Sequence, residues 1–356
     1  MLNCGKYNKE VVGDMRAVIY DPYLDTGGGG ERYILTVASL LIKKGWQVDV
    51  CWPDPKIGNW LKERLGIDLS KVTFVDNTSR GAGYDLVFWL SDGSIPLLFG
   101  KKNILHFQTP FQNVGGKSIL NKVKFLRVSS VVCNSKFTKS FIDKEYGVTS
   151  VVVYPPVDTE LFKPGRKENI ILFVGRFSQL QQLKRQDVLV ENFGRMCGAG
   201  LKNWRLVLIG GSEVGGREYV KELREKAVSL PIDILENLPL QEVQKYYAES
   251  KIFWSAVGYG VDELESPYQV EHFGMSVVEA QAAGCVPVVI SKGGHKEIIV
   301  NGENGLLWVE DGELREATLQ LIKDERRMRE IAKKAKEDAE RFSVQEFKRK
   351  ILETIS

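Results

Sequence analysis

A two-domain α/β architecture, each domain a mostly parallel sheet with helices on both faces, is what this sequence predicts. Three observations carry it. The chain has 356 residues, and a single core rarely grows beyond roughly 250–300 residues before the chain splits into domains. Short apolar runs alternate almost throughout with stretches of 3.6-residue periodicity, the pattern of βαβ units. That pattern restarts after a proline-marked break, Tyr154-Pro155-Pro156-Val157-Asp158.

Taken in order, Arg16–Tyr20 reads as the first strand and Asp21–Gly30 as a loop. A helix follows, with Ile34, Val37, Ala38, Leu41 and Ile42 at helical spacing and Gly45 closing it. Strands are then expected at Trp46–Val50, Leu86–Leu90, Asn103–Phe107, Ser129–Cys133 and Val151–Tyr154. Beyond the break, strands are expected at Ile170–Val174, Leu206–Ile209, Ile232–Leu235, Ile252–Ala256, Val286–Ile290 and Leu306–Val309. Helices are expected at Gly216–Ser229, Val277–Ala283 and Glu313–Arg341. The expected domains are residues 1–155 and 156–341, both Rossmann-like. An amphipathic helix in 342–356 packs back onto the first, and residues 1–14 form a loose extension.

Composition excludes several classes. Hydrophobic residues make up 43% and charged residues 27%, ordinary for a folded globular chain. The longest uncharged apolar run, Tyr33–Ile42, is about half of a bilayer span, and the N-terminus lacks the apolar core of a secretory signal. Five scattered cysteines without a CxxC pair suit a reducing cytosol, and three histidines make a histidine metal centre improbable. The expected location is cytoplasmic, peripheral on the inner face of the membrane. Residues 1–150 hold 20 Lys and Arg against 14 Asp and Glu (+6), and the remainder 29 against 32 (−3). Residues 101–150 alone hold nine basic and two acidic residues. That excess is either a solvated face or an attraction for phosphates or an anionic membrane surface. Nothing in it points to nucleic acid.

The strongest local signal is Glu271-His272-Phe273-Gly274-Met275-Ser276-Val277-Val278-Glu279. It places one carboxylate before a helix and another inside it, with a glycine that lets backbone amides approach an anion at the helix start. Two surface glutamates would satisfy the spacing equally well. A second motif, Leu172-Phe173-Val174-Gly175-Arg176 followed by Lys184-Arg185, sets cations at the carboxyl edge of a sheet, where open α/β sheets bind ligands. An arginine fork and a lysine point charge neutralise a diphosphate without a metal. The Gln-rich stretch Gln179, Gln181, Gln182 leaves open whether Lys184 or Arg185 is the second cation. Gly27-Gly28-Gly29-Gly30 sits between a strand and a helix but is not a dinucleotide GxGxxG fingerprint. No Asp-x-Asp occurs.

The run from Glu271 through Gly293-Gly294 resembles the EX7E motif of retaining glycosyltransferases with the GT-B fold, notably family 4 of the group 1, mannosyltransferase-like enzymes. Glycine loop, proline break, Gly-Arg…Lys and EX7E appear in that family's order. The resemblance implies two Rossmann-like domains facing across a cleft, and transfer of a hexose from a GDP- or UDP-linked sugar to a saccharide or lipid-linked acceptor with retention. It implies no cofactor and no metal. Glu271 then lies beside the transferred sugar and Glu279 binds the nucleotide ribose. Phe273, Gly274, Met275 and Ser276 contact sugar and phosphates, and Gly293 and Gly294 line the same pocket. Arg176 and Lys184 offset the diphosphate, while Gly28, Gly29 and Gly30 face it from the first domain. His106, at a strand end, stands near the donor sugar. Asn134-Ser135-Lys136 shapes the cleft. The acidic loop Asp262, Glu263, Glu265 is expected to be solvated. Rival readings are a sugar-nucleotide epimerase of the same fold, a sugar phosphorylase, and a non-catalytic partner of another transferase.

Overall fold

The computed structural model describes residues 15–179, 182–212 and 216–356. The expected 1–14 extension and Gln181 lie outside them. Two sheets are present. The first contains β1 (Arg16–Tyr20), β2 (Gln47–Cys51), β3 (Val72–Val75), β4 (Leu86–Leu90), β5 (Lys102–Phe107), β6 (Ser130–Cys133) and β7 (Val151–Val152) in the order β3-β2-β1-β4-β5-β6-β7. The second contains β8 (Glu168–Val174), β9 (Arg205–Gly210), β10 (Ile232–Glu236), β11 (Ser250–Ser255), β12 (Val286–Ile290) and β13 (Leu306–Trp308) in the order β10-β9-β8-β11-β12-β13. Helices α1 (Gly29–Lys43), α2 (Ile57–Leu65), α3 (Ile119–Phe125) and α4 (Lys136–Tyr146) accompany the first sheet in sequence. With the second run α5 (Gln186–Gly198), α6 (Gly216–Lys226), α7 (Leu240–Glu249), α8 (Met275–Ala282), α9 (His295–Ile298), α10 (Asp311–Lys323), α11 (Glu325–Ala339) and α12 (Val344–Ile355).

Pairing is parallel at β1·β2, β1·β4, β8·β9, β8·β11 and β11·β12, so each connection must cross over through a helix. In both sheets the strand order reverses beside the first strand, creating a switch point between β1 and β4 and another between β8 and β11. The described residues form two compact units. One runs to His106 and includes Ser118–Val131 and Ile355; the other comprises Phe107–Lys117, Val132–Thr354 and Ser356.

Alternation explains the core of the second unit. Ile171 and Phe173 of β8 and Leu206 and Leu208 of β9 enter one cluster with Val188, Leu189, Leu223 and Leu321. Their neighbours Ile170, Leu172, Val207 and Ile209 enter another with Tyr247, Val277, Val278 and Phe342. A strand buried on both faces reads as a continuous apolar run, and these do. The first sheet is anchored likewise: α1 buries Tyr33, Ile34, Val37 and Leu41.

Two expectations are corrected and one strand is added. Glu313–Arg341 is two helices rather than one, because Asp324 leaves helical geometry (φ −118°, ψ 80°) and its side chain accepts the Arg327 N–H at 2.9 Å, starting α11. β3 is additional to the expected strands: at four residues, with only Thr73 exposed and the rest half-buried, this edge strand carries too short an alternation to stand out. The strand expected over Val151–Tyr154 stops at Val152; Tyr154 instead stacks on Phe273 and meets Phe342 edge-on.

Candidate active site

The loops after β8 and β11 flank the switch point of the second sheet, and they carry the two strongest motifs. Lys184 Nζ lies 2.9 Å from Glu271 Oε2, with side-chain exposures of 13% and 17%. It also donates to Gln182 Oε1 at 2.7 Å, so two of its three N–H donors are engaged. Gln182 in turn donates to the Val270 carbonyl, tying the post-β8 loop to the EX7E loop. Burial, the largest single influence, raises the Glu271 carboxyl, but the Lys184 charge and hydrogen bond, joined by His295 and His272, together bring it down to about 2. Burial also lowers His272 to about 4, leaving a neutral ring at pH 7.

α8 starts at Gly274, whose φ of 114° is open to glycine and strained for other residues. No side chain caps this end, so the amides of the first turn and the positive end of the helix dipole face outward at Met275 and Ser276. Glu279, one turn further, is held by the Tyr247 hydroxyl, which donates to its Oε2 at 2.9 Å. Gly293 and Gly294 buttress this loop. A Cβ on Gly293 would stand 2.2 Å from the Glu271 carbonyl oxygen, and one on Gly294 would stand 2.3 Å from Phe273 Cα. The Gly294 N–H donates to the Glu271 carbonyl at 2.7 Å. Against Gly274 lies the buried His295, with Nδ1 3.0 Å from the Ile290 carbonyl oxygen.

Arg176 is exposed at the end of β8, and its carbonyl accepts from the buried Gln186 at 3.0 Å. Arg185 points elsewhere: its guanidinium engages the Asp187 carboxylate at 3.1 Å and the Tyr259 carbonyl at 2.6 Å. Lys184 is therefore the cation that meets Glu271. The acidic loop is only partly solvated, a correction to the expectation. Glu263 accepts the Gly293 N–H at 2.7 Å and pairs with Lys296, because the glycine turn leaves an N–H that needs an acceptor. Asp262 and Glu265 remain exposed.

The first unit carries the remaining candidates. Gly28, in extended conformation, precedes α1, and Gly29 and Gly30 are its first residues. Glu31 folds back so that its Oε2 accepts from Gly28 N–H at 2.6 Å and Thr26 Oγ1 at 2.7 Å. Asp21, at the end of β1, is buried; desolvation, then the Glu31 charge, push its carboxyl up to about 7. His106, at the end of β5, is fully buried and stacked on Tyr33, ring centroids 4.2 Å apart. Among the described residues no three His, Cys, Asp or Glu side chains assemble into a metal-holding group, and no helix is long and apolar enough to cross a membrane.

Two family models cover most of the chain between them. The family model for glycosyl transferases group 1 matches residues 157–338, just over half of the chain, and that for glycosyltransferase family 4 matches residues 27–161. The chain belongs to the group 1 glycosyltransferases. A GDP-Man:Man(3)GlcNAc(2)-PP-Dol alpha-1,2-mannosyltransferase of Dictyostelium discoideum is 29% identical over 243 residues, 63% of this chain and 46% of that protein. A D-inositol 3-phosphate glycosyltransferase of Mycobacteroides abscessus is 30% identical over 169 residues, 44% and 34% of the two chains. The chain thus spans about half or less of the length of these relatives. Among solved structures, HepE of Anabaena in complex with UDP and glucose superposes with a TM-score of 0.70 at 18% identity, covering 96% of this chain and 99% of that one. A glycosyltransferase from Rickettsia africae superposes with a TM-score of 0.74 at 19% identity, covering 98% of both. At such identities the likeness shows the fold, GT-B.

In this group 1 glycosyltransferase, several site residues lay beyond sequence reasoning. Tyr247, Gln182 and Glu263 touch the motif residues from 32, 88 and 30 positions away. None carries a periodic signal of its own. Gln182 had a cue in the Gln-rich departure after Arg176 and Glu263 in the acidic loop, but neither cue gave its partner; Tyr247 had none.

Proposed function

We propose that this group 1 glycosyltransferase is a metal-independent, retaining hexosyltransferase that takes its sugar from a GDP- or UDP-linked donor and passes it to a saccharide or lipid-linked acceptor. The observation that carries the reading is the Lys184–Glu271 pair at 2.9 Å, set at the β8/β11 switch point beside the uncapped start of α8. A diphosphate entering there meets the Lys184 ammonium, the amides of Met275 and Ser276, and the positive end of the helix. Arg176 adds a second cation from the end of β8. Glu279, fixed by Tyr247, offers a carboxylate to the ribose diol. Glu271 stays ionised, because its carboxyl is held at about 2, and so stabilises positive charge growing on the sugar ring as the anomeric C–O bond breaks. The mannosyltransferase relative named for GDP-Man and the HepE structure holding UDP and glucose support the donor class.

The test is calorimetric titration with GDP-, UDP-, ADP- and dTDP-sugars, followed by kinetics on the best donor. One nucleotide class should bind at micromolar Kd. Glu279→Gln should chiefly raise the donor KM, since a ribose diol looks alike in ground and transition states. Lys184→Ala and Arg176→Ala should lower kcat about 10- to 150-fold, the equivalent of one charge-assisted hydrogen bond. Glu271→Gln should lower kcat while nucleotide affinity stays near wild type. Folded variants with unchanged kcat and KM would place the chemistry elsewhere, and an altered free sugar formed without acceptor would make the protein an epimerase.

A further inference from the structure

The first unit displays an apolar surface that its fold leaves uncovered. α3 contains no buried residue. Ile119, Leu120, Val123 and Leu126 are 82%, 64%, 54% and 84% exposed, and Phe99 is 48% exposed. Single exposed apolar residues are ordinary, but four on one face of a short helix and its C-cap residue are not. At about 100° per residue, these four positions fall within an arc of about 120°. Lys122 and Lys124 fall about 40° beyond either edge of that arc. Asn121 and Phe125, half-buried, occupy the opposite side. Arg127 follows directly, its guanidinium braced on the carbonyls of Leu98 and Gly100 at 3.2 Å each. Along the sequence the charge of this stretch has one sign: no Asp or Glu occurs between Asp92 and Asp143.

We infer that α3 is a membrane-docking element whose apolar face enters the acyl boundary of an anionic bilayer while the flanking lysines engage lipid phosphates. An apolar stripe bordered by cations is the pattern of helices that lie in the interface plane. Lysines on both edges of the apolar arc are what an anionic leaflet attracts, each such charge adding to the affinity. The inference goes beyond a merely electrostatic attraction, because it assigns the insertion to named aliphatic side chains. It stands on this surface alone, independently of the reading of the Glu271 site.

Co-sedimentation of the full chain with vesicles of phosphatidylcholine, with and without phosphatidylglycerol, tests it at low and high salt. Wild type should bind the anionic vesicles and retain part of that binding in high salt, since apolar insertion is not screened. Ile119→Ser with Leu126→Ser should reduce partitioning at least about tenfold, near 1.4 kcal/mol, and abolish the salt-resistant part. Lys122→Gln with Lys124→Gln should lose the preference for phosphatidylglycerol. Nucleotide binding, measured by calorimetry, should be unchanged in both, which separates this inference from the donor-site reading. The inference is overturned if the serine pair binds vesicles like wild type. It is equally overturned if wild type ignores anionic vesicles, including the case where the serine pair instead abolishes self-association in sedimentation velocity and the face proves to be a contact between copies.

Discussion

Replacing Lys184 by Met probes the centre of the site, because it removes the charge and keeps most of the side-chain volume. In the wild type the Glu271 carboxyl sits at about 2 against an ordinary 4.5. The difference corresponds to about 3 kcal/mol of folded-state stability. A depressed acid contributes that stability above its unfolded value, so the increment is full above pH 4.5 and is lost as pH falls toward 2. In the variant burial acts without its counterweight and raises the carboxyl. Neither His272 nor His295 takes over the role of the cation at neutral pH, since burial lowers both. The expected deficit is therefore about 3 kcal/mol at pH 7, in line with breaking a largely buried pair. At about 2–4 °C per kcal/mol for a unit of this size, the melting point drops by about 6–12 °C. The assay is thermal and urea unfolding of both proteins from pH 7 to pH 3, read as a difference curve that cancels the other carboxylates. The deficit should shrink on acidification. A deficit under about 1 kcal/mol at pH 7, or one that does not change with pH, would refute the account of Glu271.

Three further outcomes are expected. Tyr247→Phe deletes the 2.9 Å bond to Glu279 and should raise the donor KM about tenfold or more with kcat nearly unchanged; steady-state kinetics with intact melting behaviour checks it. Asp21→Asn should stabilise the protein at pH 8, because a buried acid raised from 3.8 to about 7 costs stability that is absent below pH 3.8 and fully developed above pH 7. Its unfolding free energy should exceed that of wild type at pH 8 and lose this advantage by pH 4. Transfer should survive chelation by EDTA, and complete loss restored by magnesium or manganese would displace Arg176 and Lys184 from their assigned role.

Much of this protein was legible in its sequence. Periodicity is set by which face of an element is buried, so strands such as Arg16–Tyr20, Leu86–Leu90 and Val286–Ile290 emerge with the bounds the structure gives them. The helix between the two carboxylates follows from local chemistry as well, although it begins at Met275, two residues before the expected Val277, because the left-handed Gly274 starts it earlier than the apolar periodicity does. Where two helices share one amphipathic register, as at α10 and α11, periodicity runs through the break, and only the Asp324 cap separates them.

Tertiary structure alone decided the partners. Lys184 and Arg185 are adjacent cations with equal claims on a phosphate by sequence, but the left-handed backbone at Arg185 (φ 53°) accompanies a guanidinium turned to Asp187 and the Tyr259 carbonyl. Lys184 is left to meet Glu271 across 87 residues of chain. Gly293 and Gly294 are required by a close backbone approach to Glu271 and Phe273, a distance no local pattern encodes. Glu263 and Tyr247 are ordinary surface and core residues until folding brings an N–H or a carboxylate to them. Local sequence specifies what a segment can become; which charge faces which is a property of the assembled sheet edge, where burial turns a weak solvent-screened attraction into a strong one.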